Sequence, residues 1–260
     1  MTKEELWLKK RCGRPTSSEN KTLFVGGSRP ATDDELRIYK LINPKSTRKT
    51  TDIEFGSTAL DYFYELSWER ESGIPTYTPS NRNFEWGKQQ EPYAVKWLIV
   101  NHPEFVVRHC SSDDFDDIVF NVAECGLGDS PDIYYRRVDE VTENVGEIKC
   151  VMGGAKLKRI KEMSKEEARV EHEYQFAGHF IGKPDAVKLL YVAYLGQNDD
   201  DPNDTLDPLD PSRGIIFEYD RSEFQDLIEQ IEAKVSHVMA FLADVDAGKC
   251  RVRDINTWKP

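Results

Sequence analysis

Hydrophobic spacing along the chain switches between two periods, and the switches lay out its elements. Phe224, Leu227, Ile228, Ile231, Val235, Val238 and Leu242 recur every three to four residues, so a long helix with one buried face is expected after Ser222. A shorter amphipathic helix is expected from Gly56 to Glu71, with Leu60, Phe63, Tyr64 and Trp68 turned inward. Another is expected from about Gly87 to Asn101, with Pro92 marking its first turn, because proline breaks helix interiors. Ser164 with Glu167 at the third following position reads as a capping box, opening a helix that runs to about Ile181. Residues 4–10 form a short helix anchored by Leu6 and Trp7. Apolar runs at Glu104–Arg108, Asp117–Val122, Ile133–Tyr135, Val145–Cys150, Lys188–Leu195 and Gly214–Tyr219 read as strands. Mixed strands and helices place the chain in the α/β class. All 260 residues fit one large domain, with an acidic Asp/Pro loop inserted at about 197–212.

Composition narrows the picture. Aromatic residues make up 11% of the chain, ample for a core. There is no apolar run of 18 residues, so no membrane-spanning helix is expected. The opening Met1-Thr2-Lys3-Glu4-Glu5 is unlike a signal peptide, and a cytoplasmic location is expected. Five cysteines (Cys12, Cys110, Cys125, Cys150, Cys250) lack a C-x-x-C pair, which fits a reducing compartment and argues against structural zinc. The net charge of −12 argues against a broad basic nucleic-acid surface. A local basic channel stays open, because residues 1–50 and 149–161 are basic. Lys156, Lys158, Arg159 and Lys161 would suit a channel wall carrying phosphate, or equally an exposed basic helix end. Residues 20–55 carry no clear pattern; their patch Lys45-Ser46-Thr47-Arg48-Lys49 is a solvated loop or a DNA-backbone contact.

The chemistry concentrates between Ser130 and Cys150. If Ile133–Tyr135 and Val145–Cys150 pair as a hairpin centred near residue 140, Asp132 comes to lie beside Glu147 and Lys149. Strand alternation puts Glu147 and Lys149 on one face and Ile148 on the other, in the core. Two carboxylates and an ammonium at one sheet end suit a hard divalent cation, which takes oxygen ligands and often keeps substrate phosphate as one of them. A solvated hairpin is the competing reading. Glu-x-Lys alone specifies little, since Glu232-Ala233-Lys234 repeats it inside a helix.

A second cluster opens the chain. Arg11-Cys12-Gly13-Arg14-Pro15-Thr16-Ser17-Ser18-Glu19 gathers two arginines, a glycine and three hydroxyls, the donors that phosphate oxygens accept from. Ser17 or Ser18 could also serve as a helix N-cap, with Glu19 in the first turn.

Trp7-x-x-x-Arg11-x-Gly13-x-x-Thr16-x-Ser18-Glu19 resembles the opening motif of the phage-type alkaline exonucleases, the lambda exonuclease and YqaJ-like viral recombinase family of the PD-(D/E)xK nucleases. The resemblance extends over roughly residues 86–246. Gly87-x-x-x-Glu91-x-x-Ala94 is similar to the family's metal-facing helix, and Ser130-Pro131-Asp132 to its metal aspartate, with Ile133 where many relatives have glycine. Gln175 matches a glutamine that reaches the active site, with Glu173 as the other candidate register. The acidic run Asp113–Asp116 could hold a further family acid, and His172 and His179 share a helix face as structural or DNA-contacting residues.

The resemblance implies a restriction-endonuclease-like mixed sheet flanked by helices. It implies Mg²⁺, with Mn²⁺ as a substitute, held by Asp132, Glu147, the Ile148 carbonyl and Glu91. Lys149 and Gln175 complete the catalytic set, and Arg11, Thr16 and Ser18 bind a DNA 5′-phosphate. The implied activity is 5′-to-3′ degradation of one strand of linear duplex, leaving 3′ overhangs for phage-type recombination. A homotrimer, DNA ends and a single-strand annealing protein are the implied partners. An endonuclease of the same superfamily, or a non-catalytic DNA-binding module, are the alternatives.

Overall fold

A computed structural model gives the fold, described here for residues 2–43, 45, 47–76, 82–111, 119–197 and 206–259. Helix α1 (Lys3–Arg11) is closed at its start by a Thr2–Glu5 capping box. The patternless region forms a small unit: strand β1 (Gly27–Pro30), helix α2 (Asp33–Ile42) and strand β2 (Thr50–Ile53), with β1 antiparallel to β2. Part of the basic patch lies outside the described residues, and Arg48 pairs with Asp52 while lying over the Tyr39 ring.

Helix α3 (Ser57–Ser72) turns Ala59, Phe63, Leu66 and Glu69 inward. The expected inward residues Tyr64 and Trp68 are instead about half exposed, while Leu60 packs at the edge of the core. The buried stripe is defined partly by a glutamate: Glu69 accepts the Gly13 and Thr76 amides, which hydrophobic spacing cannot register. Helix α4 (Arg82–Asn101) also departs from expectation, because Pro92 sits in its interior. Proline forfeits a backbone hydrogen bond and costs about 3 kcal/mol there. The helix continues because Ala94, Val95, Trp97 and Leu98 just beyond it are buried, and packing of an apolar face supplies most helix stability in proteins.

A five-stranded mixed sheet follows. Its strands are β3 (Phe105–His109), β6 (Ile133–Arg137), β7 (Asn144–Val151), β8 (Lys188–Leu195) and β9 (Gly214–Asp220), in that spatial order. Between β3 and β6, the short β4 (Asn121–Val122) and β5 (Gly128–Asp129) form a separate pair; the expected strand at 117–122 lies partly outside the described residues. Only β7 and β8 are parallel, joined by a crossover of two helices, α5 (Gly154–Glu162) and α6 (Lys165–Gly182). The expected Ser164–Glu167 capping box opens α6. Helix α7 (Gln225–Asp246) follows β9 through a single 3₁₀ turn.

Two cores cover the two sheet faces. Val145 and Val151 belong to one core with Leu189, Tyr191, Phe176 and Ile228, which packs α6 and α7 against the sheet. Ile148 belongs to the other with Leu190, Val192 and the α4 residues Ala94, Trp97 and Leu98. Odd and even positions of β7 and β8 therefore divide between opposite faces, as the pleat requires. The tail folds back: Asn256 exchanges hydrogen bonds with both backbone groups of Phe55, and the Trp258 indole N–H donates to Asp244.

Phe176 is fully buried and its ring meets those of Tyr191, Tyr219 and Phe224. It joins α6 to β8, β9 and the start of α7. Phe176→Ala is expected to cost about 3–5 kcal/mol, the range for deleting a core aromatic. Urea denaturation measures it; a loss under about 1 kcal/mol would show that this cluster does not organise the core.

Candidate active site

The hairpin forms in the expected register. Ile133 stands opposite Gly146 and Tyr135 opposite Asn144, so Asp132 and Glu147 are the next pair. Gly146 is required here: a Cβ would lie 2.6 Å from the Ile133 side chain. Asp132 Oδ2 accepts the Ile148 amide at 2.7 Å, across the strand from its own position. Glu147 is buried and its Oε1 accepts from Lys149 Nζ. Lys149 Nζ also donates to Gln175 Oε1 at 3.2 Å, so α6 delivers Gln175, and not Glu173, to the lysine. Glu91 of α4 lies 3.4 Å from His109 Nε2, and its charge is felt at both Asp132 and Lys149.

The electrostatics follow from burial. Desolvation, with Glu147 and Glu91 beside it, pushes the Asp132 carboxyl well above its usual range. Burial alone would raise Glu147 too, but Lys149 and His179 outweigh it and hold that carboxylate below its usual value. Burial would lower Lys149, yet Glu147 and Asp132 outweigh it and keep the amine charged. One carboxyl is thus compensated by side chains and the other lacks a cationic partner of its own. A hard cation beside Asp132 would supply it. Among the described residues, no three Asp, Glu, His or Cys side chains form a ready metal cage. The donors that do converge, carboxylates plus the carbonyl-bearing strand at Ile148, suit Mg²⁺, which is usually held by one or two carboxylates with water and phosphate filling the rest.

The N-terminal cluster reaches the same region. Residues 15–17 lie along Gly128: the Gly128 N–H donates to the Pro15 carbonyl, and the Ser17 N–H donates to the Gly128 carbonyl. A small cavity of about 80 Å³ results, lined by Trp7, Arg11, Thr16, Ser18, Ser130 and Gln175, among others. About 10–15 Å³ of such space holds one water, so a phosphate group fits. The Arg11 guanidinium lies over the Trp7 ring, 4.9 Å from its centroid. Thr16 and Ser18 share a hydrogen bond at 3.3 Å. The capping role does not materialise: the 3₁₀ turn that follows, Asn20–Phe24, starts at Glu19 without a side-chain cap. Gln175 lines this cavity and also touches Lys149, so the two clusters share a wall.

Gly178, Gly182 and Asp129 at this junction escaped sequence reasoning, and His179 was expected only as a structural or DNA-contacting residue. Gly178 and Gly182, one helical turn apart on α6, let two loops approach the helix. A Cβ at Gly178 would lie 2.4 Å from Ser17 Cβ, and one at Gly182 2.4 Å from Asp129 Cβ. His179 is fully buried, with Nδ1 2.7 Å from Asp129 Oδ1 and Nε2 2.8 Å from Glu147 Oε2. Burial would lower its pKa, but Asp129 and Glu147 reverse that and raise it to about 10. His179 is therefore enclosed in the protein interior, the structural one of the two expected readings. Its helix-mate His172 instead packs on Phe176 and Tyr191. The signal that could have found this junction is the small-residue spacing on α6, Gly178 and Gly182 four residues apart. The acidic run Asp113–Asp116 lies outside the described residues.

A five-stranded mixed sheet flanked by helices makes this an α/β fold, and comparison with solved structures makes it specific: the chain has the fold seen in solved alkaline exonucleases. One similar structure is an alkaline exonuclease from Laribacter hongkongensis, 20% identical, with a TM-score of 0.59 over 94% of this chain and 96% of that one. Its complex with dAMP gives a TM-score of 0.60 at the same identity and coverage. A phage-related exonuclease from Haemophilus somnus 129PT is 12% identical, with a TM-score of 0.54 over 91% of this chain and 96% of that one. No family model matches the sequence, and no curated protein matches it either.

The close approach at α6 makes a stability prediction. Gly178→Ala is expected to cost about 1–3 kcal/mol by overpacking against Ser17. Gly87→Ala in α4, where a Cβ meets nothing within 4 Å, should stabilise by about 0.5–1 kcal/mol, because glycine is the costlier residue in a helix interior. Thermal denaturation of both variants tests the packing; equal effects would contradict it.

Proposed function

We propose that the protein is a Mg²⁺-dependent exonuclease that degrades one strand of linear duplex DNA from its 5′ end and leaves a 3′ overhang. One observation carries the reading: a phosphate-sized cavity lined by Arg11 shares Gln175 as a wall with the Asp132–Glu147–Lys149 cluster. A pocket that takes a terminal phosphate beside the cleavage point serves an end-processing enzyme, whereas an enzyme that cuts within a strand does not need one. The solved structures of the same fold are exonucleases by name, which supports the same choice.

Asp132, Glu147 and the Ile148 carbonyl would hold the metal ion, with Glu91 helping a second. When bound, such ions stabilise the attacking and leaving oxygens of an in-line displacement. Lys149, fixed between Glu147 and Gln175, orients the attacking water and offsets negative charge developing on the phosphate. Arg11, Thr16 and Ser18 hold the terminal phosphate, which sets the position of the next phosphodiester. The overhang would pass to a single-strand annealing partner. A homotrimeric ring would gather the exposed cations of this acidic chain around the duplex.

Asp132→Asn, Glu147→Gln and Lys149→Ala are each expected to slow digestion of linear duplex at least 100-fold, about 2.7 kcal/mol of transition-state stabilisation. Calorimetry should show weaker Mn²⁺ binding for the two carboxylate variants and unchanged binding for Lys149→Ala. Substantial turnover by Glu147→Gln would overturn the site.

The pocket makes a separate prediction. Charge-assisted hydrogen bonds contribute about 1.5–3 kcal/mol, and 1.4 kcal/mol is about tenfold. Duplex with a 5′-phosphate should be degraded about tenfold or more faster than duplex with a 5′-hydroxyl. Arg11→Ala should erase most of that preference and leave Mn²⁺ affinity intact. Equal wild-type rates on the two ends would remove the pocket's role, and rapid cutting of closed circular DNA would favour an endonuclease.

A further inference from the structure

Asp129 sits between Gly128 and Ser130, both of which line the terminal-phosphate cavity. Its side chain points the other way, into the protein, where Oδ1 meets His179 Nδ1 at 2.7 Å. The opposite edge of the same ring meets Glu147 Oε2 at 2.8 Å. Asp129, His179 and Glu147 are all buried, at 1%, 0% and 3% exposure, so this bridge is closed to water. It is also maintained at a local cost. Asp129 Oδ2 is buried without a hydrogen-bond partner, and an unsatisfied buried acceptor costs about 1–3 kcal/mol. Gly182 leaves the space for this arrangement, since a Cβ there would lie 2.6 Å from the same oxygen.

The bridge decides how Glu147 is presented. His179 engages Oε2 and Lys149 engages Oε1, so both oxygens are held in place, and a second lone pair of Oε1, on the lysine side, stays open to a cation. A single, fixed oxygen suits Mg²⁺, which demands near-ideal octahedral geometry. Partners behind a metal ligand fix its orientation, and losing them typically costs 10–100-fold in metal affinity. We propose that His179 is a positioning residue that holds Glu147 for monodentate metal binding and anchors that carboxylate, through Asp129, to the loop lining the terminal-phosphate pocket. This proposal rests on the exonuclease reading of the site. Its consequence is that the phosphate pocket and the metal carboxylate keep a fixed separation.

Two variants of His179 separate positioning from simple stabilisation. In His179→Gln, the amide nitrogen can still reach Glu147, and the link to Asp129 is lost. In His179→Asn, the shorter amide reaches Asp129, and Glu147 is released. Each loses one buried contact, so their losses of stability should be similar. Mn²⁺ affinity by calorimetry should not be: His179→Asn is expected to lose at least tenfold, and His179→Gln and Asp129→Asn about threefold each. The Mg²⁺ concentration for half-maximal digestion should rise in the same order. In a Glu147→Gln background, His179→Asn should cost no further metal affinity. Wild-type affinity in folded His179→Asn, or losses that simply follow stability, would overturn the proposal. Should His179→Asn fail to fold, Asp129→Asn with and without Glu147→Gln reads the same coupling, and additive losses would overturn it. Failure of the underlying function would look different: the wild-type protein itself would bind no Mn²⁺ and digest no DNA.

Discussion

A buried carboxylate sets the terms for this structure. Glu147 lies at 3% exposure in the central strand of the sheet, where an ionised group is stable only if paired and hydrogen-bonded. Its partners come from different parts of the chain: Lys149 from the same strand, His179 from α6, and Asp129 behind His179. The parallel β7–β8 crossover brings α6 across the face that carries Glu147. Helix placement and charge compensation are therefore one requirement. Gly178 and Gly182 serve it by letting the helix sit close enough to the loops at Ser17 and Asp129.

This dependence explains which parts of the molecule could be read from the sequence. Strand alternation in β7 correctly separated Ile148 from Glu147 and Lys149, because a one-residue slip would exchange the two faces. The long terminal helix was legible for a similar reason: Ile228, Ile231, Val235, Val238 and Leu242 are all buried, and nothing polar interrupts them. Glu69 does interrupt the corresponding stripe on α3, and there the inward face was misjudged. Pro92 misled in the other direction, since its local cost is overridden by burial of the residues after it. Helix α2 has no buried residue at all, so there was no burial pattern to find.

The site was legible in its parts and illegible in its joints. Asp132, Glu147 and Lys149 are joined by local strand pairing, which spacing can predict. His179 meets partners 50 and 32 residues away in sequence. No periodicity encodes such a contact, and a histidine on a helix face gives no sign of whether carboxylates will flank it. The Arg11 cluster was visible as a composition of phosphate donors. Its nearness to Asp132 and Glu147 depends on α6, through Gln175, and so on the same long-range packing.

The charge balance points to how such a protein would hold DNA. Non-specific affinity for a duplex grows with the number of phosphates neutralised by free cations. Here the net charge is −12, and Arg29, Arg70, Arg108, Arg137 and Lys188 are engaged by carboxylates. Exposed cations on α5, directly after the strand that carries Glu147 and Lys149, include Lys156 and Arg159, while Lys158 lies 3.9 Å from Glu162 and Lys161 donates to the Ser212 carbonyl. With a net negative charge, general electrostatic attraction to a duplex is weak. Under the exonuclease reading, binding must come chiefly from the terminal phosphate in its pocket and from the metal-bound scissile phosphate. Those two anchors select a strand end by geometry. An acidic surface elsewhere would then help, since it discourages binding along the duplex where no end is present.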